Sequence, residues 1–135
     1  MIGIVVVTHS GLAAELVRSA EMILGPLAGV ETVSVDRGMS VEMAKEKLSQ
    51  AIGRSGRDGD GVLIMTDLFG GTPTNISAEF LEDGRVEILT GVNLPMLIKC
   101  VSARSGETLA GLAALLEDYA RNAIVRPSDM LRSVK

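Results

Sequence analysis

The sequence of 135 residues has very few of the side chains that most active sites use. It contains one histidine, one cysteine, no tryptophan and three aromatic residues in all. A lone cysteine cannot form an internal disulfide, and one cysteine with one histidine cannot build a zinc site. The scarcity of aromatic rings and the formal net charge of −4 both argue against nucleic-acid binding. We therefore expect no metal site and no nucleic-acid partner.

The sequence also lacks long hydrophobic runs. No apolar segment approaches the roughly 18 residues that a membrane-spanning helix needs, and the chain shows no charged leader followed by an apolar stretch. The single Cys100 fits a reducing compartment and, in an apolar helical stretch, a buried structural role. These features predict a cytoplasmic protein.

Common nucleotide-binding and hydrolase motifs are absent too. The chain has no Gly-x-x-x-x-Gly-Lys-Ser/Thr loop and no Gly-x-Gly-x-x-Gly after a strand. No acidic pair follows the first strand, which disfavours an aspartyl-phosphate receiver. Ser10 is not part of a Gly-x-Ser-x-Gly elbow. A Walker-type, dinucleotide-binding or serine hydrolase protein is therefore disfavoured.

The pattern that is present alternates apolar strands with amphipathic helices. Such alternation predicts a single-domain α/β fold with a mainly parallel four-stranded sheet and helices on both faces. We assign residues 1–127 to this domain and 128–135 to a mobile C-terminal tail. Residues 123–126 suggest a short edge strand, because Pro127 excludes a central one. The predicted strands cover 2–7, 30–35, 61–66 and 86–89, and the helices 12–24, 41–52, 73–81, 94–103 and 108–122.

The single histidine, His9, lies where the first buried strand ends. Ligands of parallel sheets bind at this edge, and imidazole is suited to carry a phosphoryl group near neutral pH. Asp67 follows the third strand, so it meets His9 if these two strands are neighbours. A carboxylate on one ring nitrogen would orient the ring and leave the other nitrogen as a nucleophile. The alternatives are a surface histidine in a loop and an aspartate that only makes a turn.

A glycine-rich loop follows Asp67. Gly70 and Gly71 leave backbone N–H groups uncovered, and the next helix adds free donors and a partial positive charge. Such a loop suits a phosphate, although a Gly-rich turn before a capped helix is common. Thr72 either adds a hydroxyl donor or caps that helix, with Pro73 as its first residue. We include Ser10 with Gly70, Gly71 and Thr72 as candidate phosphate-binding residues.

Four blocks in order resemble the IIA component of the mannose-family sugar phosphotransferase system. The resemblance covers about residues 2–100 and is looser over the last helix. No single block would identify the family, but their co-occurrence is specific. The blocks are Val7-Thr8-His9-Ser10-Gly11, Ala20-Glu21-Met22-Ile23-Leu24-Gly25, Asp67-Leu68-Phe69-Gly70-Gly71-Thr72-Pro73-Thr74-Asn75 and Gly91-Val92-Asn93-Leu94-Pro95-Met96-Leu97.

The resemblance implies a phosphocarrier without a cofactor. It maps the family's phosphoryl-accepting histidine onto His9 and the partner aspartate onto Asp67. The implied donor is the phosphohistidine of HPr, and the acceptor is a histidine of a separate IIB component that serves membrane IIC and IID components. The family forms homodimers by exchanging a C-terminal strand, for which 123–126 is the candidate. Leu68, Phe69 and Leu94 are expected to form an apolar rim that docks a partner protein.

Three other functions stay open. The protein could be a regulatory module that is phosphorylated on His9 but feeds no transporter. It could be the related phosphotransfer subunit of a dihydroxyacetone kinase, although that family's second loop lacks the Phe-Gly-Gly-Thr-Pro pattern. It could also be an α/β scaffold that binds a small anion at the Gly70–Thr72 loop.

Overall fold

The computed structural model of the chain describes residues 1–133. It confirms the predicted alternation of strands and helices, with strand and helix ends shifted by a few residues. A short 3₁₀-helix, Arg104–Gly106, precedes the fifth helix. The elements are β1 (Gly3–His9), α1 (Leu12–Leu24), β2 (Val30–Val35), α2 (Val41–Ser55), β3 (Val62–Thr66), α3 (Gly71–Ala78), β4 (Val86–Thr90), α4 (Leu94–Ala103), α5 (Leu109–Asn122) and α6 (Pro127–Ser133).

The four strands form one parallel sheet in the order β2-β1-β3-β4. β1 therefore lies between β2 and β3, and the chain changes direction across the sheet after β2. Ligands of open α/β sheets bind at such a switch point, beyond the carboxyl ends of the strands. The register pairs His9 with Val35 on β2, and Val7 with Thr66 on β3. The loops that follow β1, β2 and β3 consequently meet at one edge.

The core consists of two apolar layers, one on each face of the sheet. Alternate side chains of β1 point to opposite faces, so Ile4 and Val6 pack with α1, α4 and α5, whereas Val5 and Val7 pack with α2 and α3. All four side chains are fully buried. This two-sided burial explains why β1 is an uninterrupted apolar run. It also makes β1 a rigid support for the histidine at its end.

The C-terminal segment differs from its prediction. Residues 123–126 pair with no strand within residues 1–133, and the residues that follow them form α6. Residues 134 and 135 of the predicted mobile tail lie outside the described residues. Pro127 begins this helix at a position where a missing N–H costs nothing. Asp129 in the first turn forms an ion pair with Arg132 at 2.9 Å. Exchange of residues 123–126 between subunits involves a second chain and stays a prediction.

Cys100 lies in α4 and is fully buried, which confirms the structural role predicted for it. No helix in the described part of the chain is long and apolar enough to cross a membrane.

Candidate phosphoryl-transfer site

His9 and Asp67 are in direct contact at the carboxyl edge of the sheet. Nδ1 of His9 lies 3.0 Å from Oδ2 of Asp67, and the backbone N–H of His9 donates to the same oxygen at 3.1 Å. The His9 side chain is 49% exposed and that of Asp67 is 14% exposed. Two contacts to one carboxylate oxygen fix both the ring and the strand end that carries it. The predicted pairing of these residues is thus present in the structure.

The loop after β1 holds His9 in place from the other side. The hydroxyl of buried Thr8 accepts the backbone N–H of Ala13 at 2.8 Å and so connects the strand end to α1. Ser10 adopts φ +54°, a left-handed conformation that is uncommon for a residue with a side chain. Its N–H donates to the carbonyl of Val35 at 3.0 Å. This sharp turn leaves His9 at the surface instead of under α1.

The second ring nitrogen of His9 lies beside Gly71. A Cβ atom built on Gly71 would be 3.1 Å from both Nε2 and Cε1 of His9, and Gly71 has φ +77°. Only glycine fits this close approach without strain. With Nδ1 on Asp67, Nε2 is the nitrogen available to a reacting group. The neutral ring then carries its proton on Nδ1, where the carboxylate accepts it.

The loop before α3 was predicted correctly as a helix start but with the wrong cap. Gly70, not Thr72, is the N-cap residue, and α3 begins at Gly71 and ends at Ala78 instead of residue 81. Gly70 has φ +112°, which lets the chain enter the helix earlier than the Thr-Pro signal suggests. The amides of Gly71 and Thr72 belong to the first helical turn, which has no intrahelical acceptors for its N–H groups. Thr72 lines a cavity of about 550 Å³ together with His9 and Ser10.

Of the predicted phosphate-binding residues, Ser10 and Thr72 line this cavity. Gly70 and Gly71 lie directly before Thr72, at the start of α3. Ser10 differs from the others because its backbone N–H is already used by Val35. It can offer a phosphate only its hydroxyl.

The three residues predicted to form a docking rim differ in their exposure. Leu68 is 57% exposed and Phe69 is 86% exposed, just beyond Asp67. Leu94, the predicted third member, is the first residue of α4 and is only partly exposed because it packs against the core. Asn93 caps α4 by accepting the N–H of Met96 at 2.9 Å, which fixes Leu94 at the start of the helix.

A pair of buried threonines that the sequence reasoning missed supports the loop after Asp67. The hydroxyls of Thr66 and Thr74 are 2.8 Å apart, and Thr74 donates to the carbonyl of Leu68 at 2.5 Å. Thr66 ends β3 with no exposure. A polar residue at the end of an otherwise apolar buried strand was the available signal. The chain of hydrogen bonds fixes the loop that carries Asp67.

The other carboxylate oxygen of Asp67, Oδ1, is buried and has no hydrogen-bond partner among residues 1–133. Among residues 1–133, no group of three or more His, Cys, Asp or Glu side chains could hold a metal ion. The arrangement offers a nucleophilic nitrogen, an orienting carboxylate and helix-start amides. These are the parts that a transfer of phosphate between nitrogens needs.

Comparison with known proteins agrees with this chemistry. A family model described as the PTS system fructose IIA component matches residues 3–117. The PTS system fructose-specific EIIA component of Bacillus subtilis (strain 168) is 32% identical over 136 residues, which cover 100% of this chain and 92% of that protein. The PTS system mannose-specific EIIAB component of Escherichia coli (strain K12) is 31% identical over 125 residues, 91% of this chain but 38% of that protein.

Solved structures show the same fold. The phosphotransferase system component EIIA from Streptococcus agalactiae matches with a TM-score of 0.84 and 30% identity, over 96% of this chain and 99% of that one. The mannose/sorbose-specific IIA subunit from Enterococcus faecalis matches with a TM-score of 0.80, 26% identity and 93% coverage of both chains. The chain belongs to the mannose family of IIA components of the phosphotransferase system.

Proposed function

We propose that this IIA component accepts a phosphoryl group from phospho-HPr on Nε2 of His9 and passes it to a histidine of a separate IIB component. The IIB component then phosphorylates sugar that enters through membrane IIC and IID components, and the IIA component acts in the cytoplasm. The observation that carries the proposal is the contact between Nδ1 of His9 and Asp67, which leaves Nε2 as the reacting nitrogen of a side chain that lines an open cavity.

The proposed step is a displacement at phosphorus. The Nε2 lone pair of His9 attacks as the P–N bond of the donor phosphohistidine breaks, and the donor imidazole leaves with that electron pair. The His9 ring becomes positively charged while its Nδ1–H stays directed at Oδ2 of Asp67. The carboxylate stabilises this charge, and the amides of Gly71 and Thr72 receive phosphoryl oxygens. Transfer to the IIB component is the same step in reverse, with His9 as the leaving group.

The accessibility of His9 fits a reaction between proteins. Its side chain is half exposed and sits at a shallow cavity mouth instead of a closed pocket. Leu68 and Phe69 form an exposed apolar rim next to the site. Exposed apolar side chains that lie together in this way are typical of protein interaction sites. We assign this rim to docking of HPr and of the IIB component in turn.

We also infer that two copies form a dimer through the β4 edge. No described strand covers the outer side of β4, and a groove of about 500 Å³ runs beside it. Apolar side chains of Leu89, Met96 and Ala120 line this groove, together with Ile124. Ile124 and Val125 are both exposed within one subunit. Residues 123–126 of a second copy would extend the sheet there and cover these side chains.

Reconstituted phosphorylation tests the proposed function. Phosphoenolpyruvate, enzyme I and HPr should place one acid-labile phosphate on the protein, and addition of a mannose-family IIB component should remove it. The variant His9→Ala, checked for folding by circular dichroism, should take up no phosphate. Undiminished labelling of His9→Ala would refute the proposal. Labelling that no IIB component discharges would favour the regulatory alternative.

A further inference from the structure

Part of the cavity beside His9 is lined by residues that have no role in the proposed transfer step. The loop between β2 and α2 supplies these residues, with Asp36, Arg37, Gly38 and Met39 facing the same space as His9 and Thr72. The sheet register explains this position, because His9 pairs with Val35. Arg37 therefore lies two residues beyond the β2 position next to His9. Adjacent strands are about 4.8 Å apart, so this loop adjoins the strand end that carries His9.

The charges around the cavity are unbalanced. Asp67 contacts the ring, and Asp36 contributes a second carboxylate, whose Oδ1 accepts a hydrogen bond from Ser34 at 2.9 Å. Phosphorylation of His9 would add nearly two further negative charges beside them. Like charges at this distance repel, and the phosphoryl group needs a cation unless water alone screens it. Apart from His9 itself, Arg37 is the only basic side chain among the described residues that line this cavity.

Arg37 is also free to serve as that cation. Its side chain is exposed, and among residues 1–133 it forms no ion pair or side-chain hydrogen bond. Most other arginines of the described chain form ion pairs with carboxylates. These are Arg18, Arg54, Arg85, Arg121, Arg126 and Arg132. Gly38 follows Arg37 and has φ +86°. No atom lies within 4 Å of its Cβ position, so nothing packs against the loop at this residue.

We propose that Arg37 binds the phosphoryl group on His9 and stabilises it during transfer, on the basis of the shared cavity and the unpaired guanidinium. The planar guanidinium can donate two parallel hydrogen bonds to phosphoryl oxygens, opposite the amides of Gly71 and Thr72. This inference rests on the proposed function, because it requires phosphate on His9. It assigns the β2–α2 loop a direct part in the chemistry.

Phosphoramidate provides a test that does not depend on a protein donor. In this reaction the P–N bond of phosphoramidate breaks, ammonia leaves, and a new bond forms between phosphorus and Nε2 of His9. Arg37→Gln should slow this labelling roughly ten- to hundredfold, the range for loss of hydrogen bonds to a charged group. Arg37→Lys should restore part of the rate, since it keeps the charge but not the paired donors.

Arg57→Gln is the matched control. Arg57 is exposed, has no carboxylate partner among the described residues and donates only to the carbonyl of Arg54 at 3.2 Å. The substitution Arg57→Gln removes the same charge far from the site and should leave the labelling rate unchanged. Equal rates for Arg37→Gln and wild type would overturn the inference.

The same variants assayed with phospho-HPr separate contact with phosphate from contact with the donor protein. A similar loss with both donors supports Arg37 as a phosphoryl-binding residue. A loss with phospho-HPr alone would overturn that role and make Arg37 a docking residue. If HPr proves not to be the donor, the proposed function fails while the phosphoramidate comparison still decides the role of Arg37.

Discussion

One oxygen of Asp67 holds His9 by two groups at once. Oδ2 accepts the backbone N–H of His9 at 3.1 Å and faces Nδ1 of its ring at 3.0 Å. The two residues are 58 positions apart in sequence, and the neighbouring strands β1 and β3 bring them together. The carboxylate thereby selects the tautomer in which Nε2 is unprotonated and nucleophilic. The reactivity of Nε2 therefore depends on the contact between His9 and Asp67 and not on the histidine alone.

Asp67→Asn should slow phosphorylation of His9 by at least about tenfold while the fold is retained, as for other carboxylates that orient an imidazole. The amide can still accept the backbone N–H, but it cannot stabilise the charge that develops on the ring. Single-turnover labelling by phospho-HPr, with thermal unfolding as the check on folding, measures this effect. An unchanged rate would remove Asp67 from the mechanism.

Gly71→Ala should impair both stability and transfer. The added Cβ would be 3.1 Å from Nε2 of His9, at a φ of +77° that disfavours alanine by about 1–2 kcal/mol. Gly84→Ala is the matched control, because Gly84 has φ +76° and nothing within 4 Å of its Cβ position. Both variants should lose similar stability, measured by urea unfolding. Only Gly71→Ala should lose phosphoryl transfer, and equal activity of the two variants would contradict the placement of Gly71 at the ring.

Cys100 should be chemically inert in the folded protein. Burial raises the pKa of its thiol to about 12, against a smaller opposing effect of the nearby Arg104 guanidinium. Iodoacetamide at pH 8.5 should therefore leave the native protein unmodified and react once urea unfolds the chain. Rapid alkylation of the folded protein would contradict the buried position of Cys100.

The same raised pKa makes stability depend on pH. The unfolded thiol loses its proton near pH 8.5, whereas the folded thiol keeps it until about pH 12. Between these values the folded state binds more protons, so the contribution of Cys100 to stability falls as pH rises, by up to about 1.4 kcal/mol per pH unit. Urea unfolding from pH 8 to pH 10 should show this slope, and Cys100→Ala should flatten it. Parallel profiles for the two proteins would be evidence against the shift.

Ile124→Asp should shift the protein from dimer to monomer. Ile124 is exposed in one subunit and lines the groove beside β4, so a charge there opposes its burial by a second copy. Met22→Asp is the control, because Met22 is an equally exposed apolar residue on α1 that does not line this groove. Light scattering coupled to size-exclusion chromatography gives the mass of each variant. A dimer of unchanged stability in Ile124→Asp would place the interface elsewhere.

The sequence predicted the central strands and the capped helices well, for identifiable reasons. β1 is buried on both faces and therefore reads as an uninterrupted apolar run, and Ser40 caps α2 as expected by accepting the N–H of Met43 at 3.1 Å. The pairing of His9 with Asp67 was predicted on the condition that β1 and β3 are neighbours, and the strand order of the sheet meets that condition. The apolar run of β1 and the Ser40 cap are local signals. Each depends on a few residues that are close in sequence, so the sequence shows them directly.

The errors occurred where distant contacts or unusual backbone angles decide the structure. Thr72 looked like an N-cap, but the positive φ of Gly70 starts α3 earlier. The approach of Arg37 to the cavity depends on which strands are neighbours. The Thr66–Thr74 hydrogen bond depends on how the loop between β3 and α3 turns back. Sequence spacing alone does not show these relationships.

The most direct test uses the fact that His9 is the only histidine in the chain. Protein labelled with ¹⁵N in its histidine gives one pair of ring nitrogen signals, which can be followed by NMR before and after phosphorylation. We predict that phosphorus couples to Nε2, and that Nδ1 remains protonated and hydrogen-bonded to Asp67. Phosphorus on Nδ1, or a phosphorylated protein whose His9 signals are unchanged, would contradict the account.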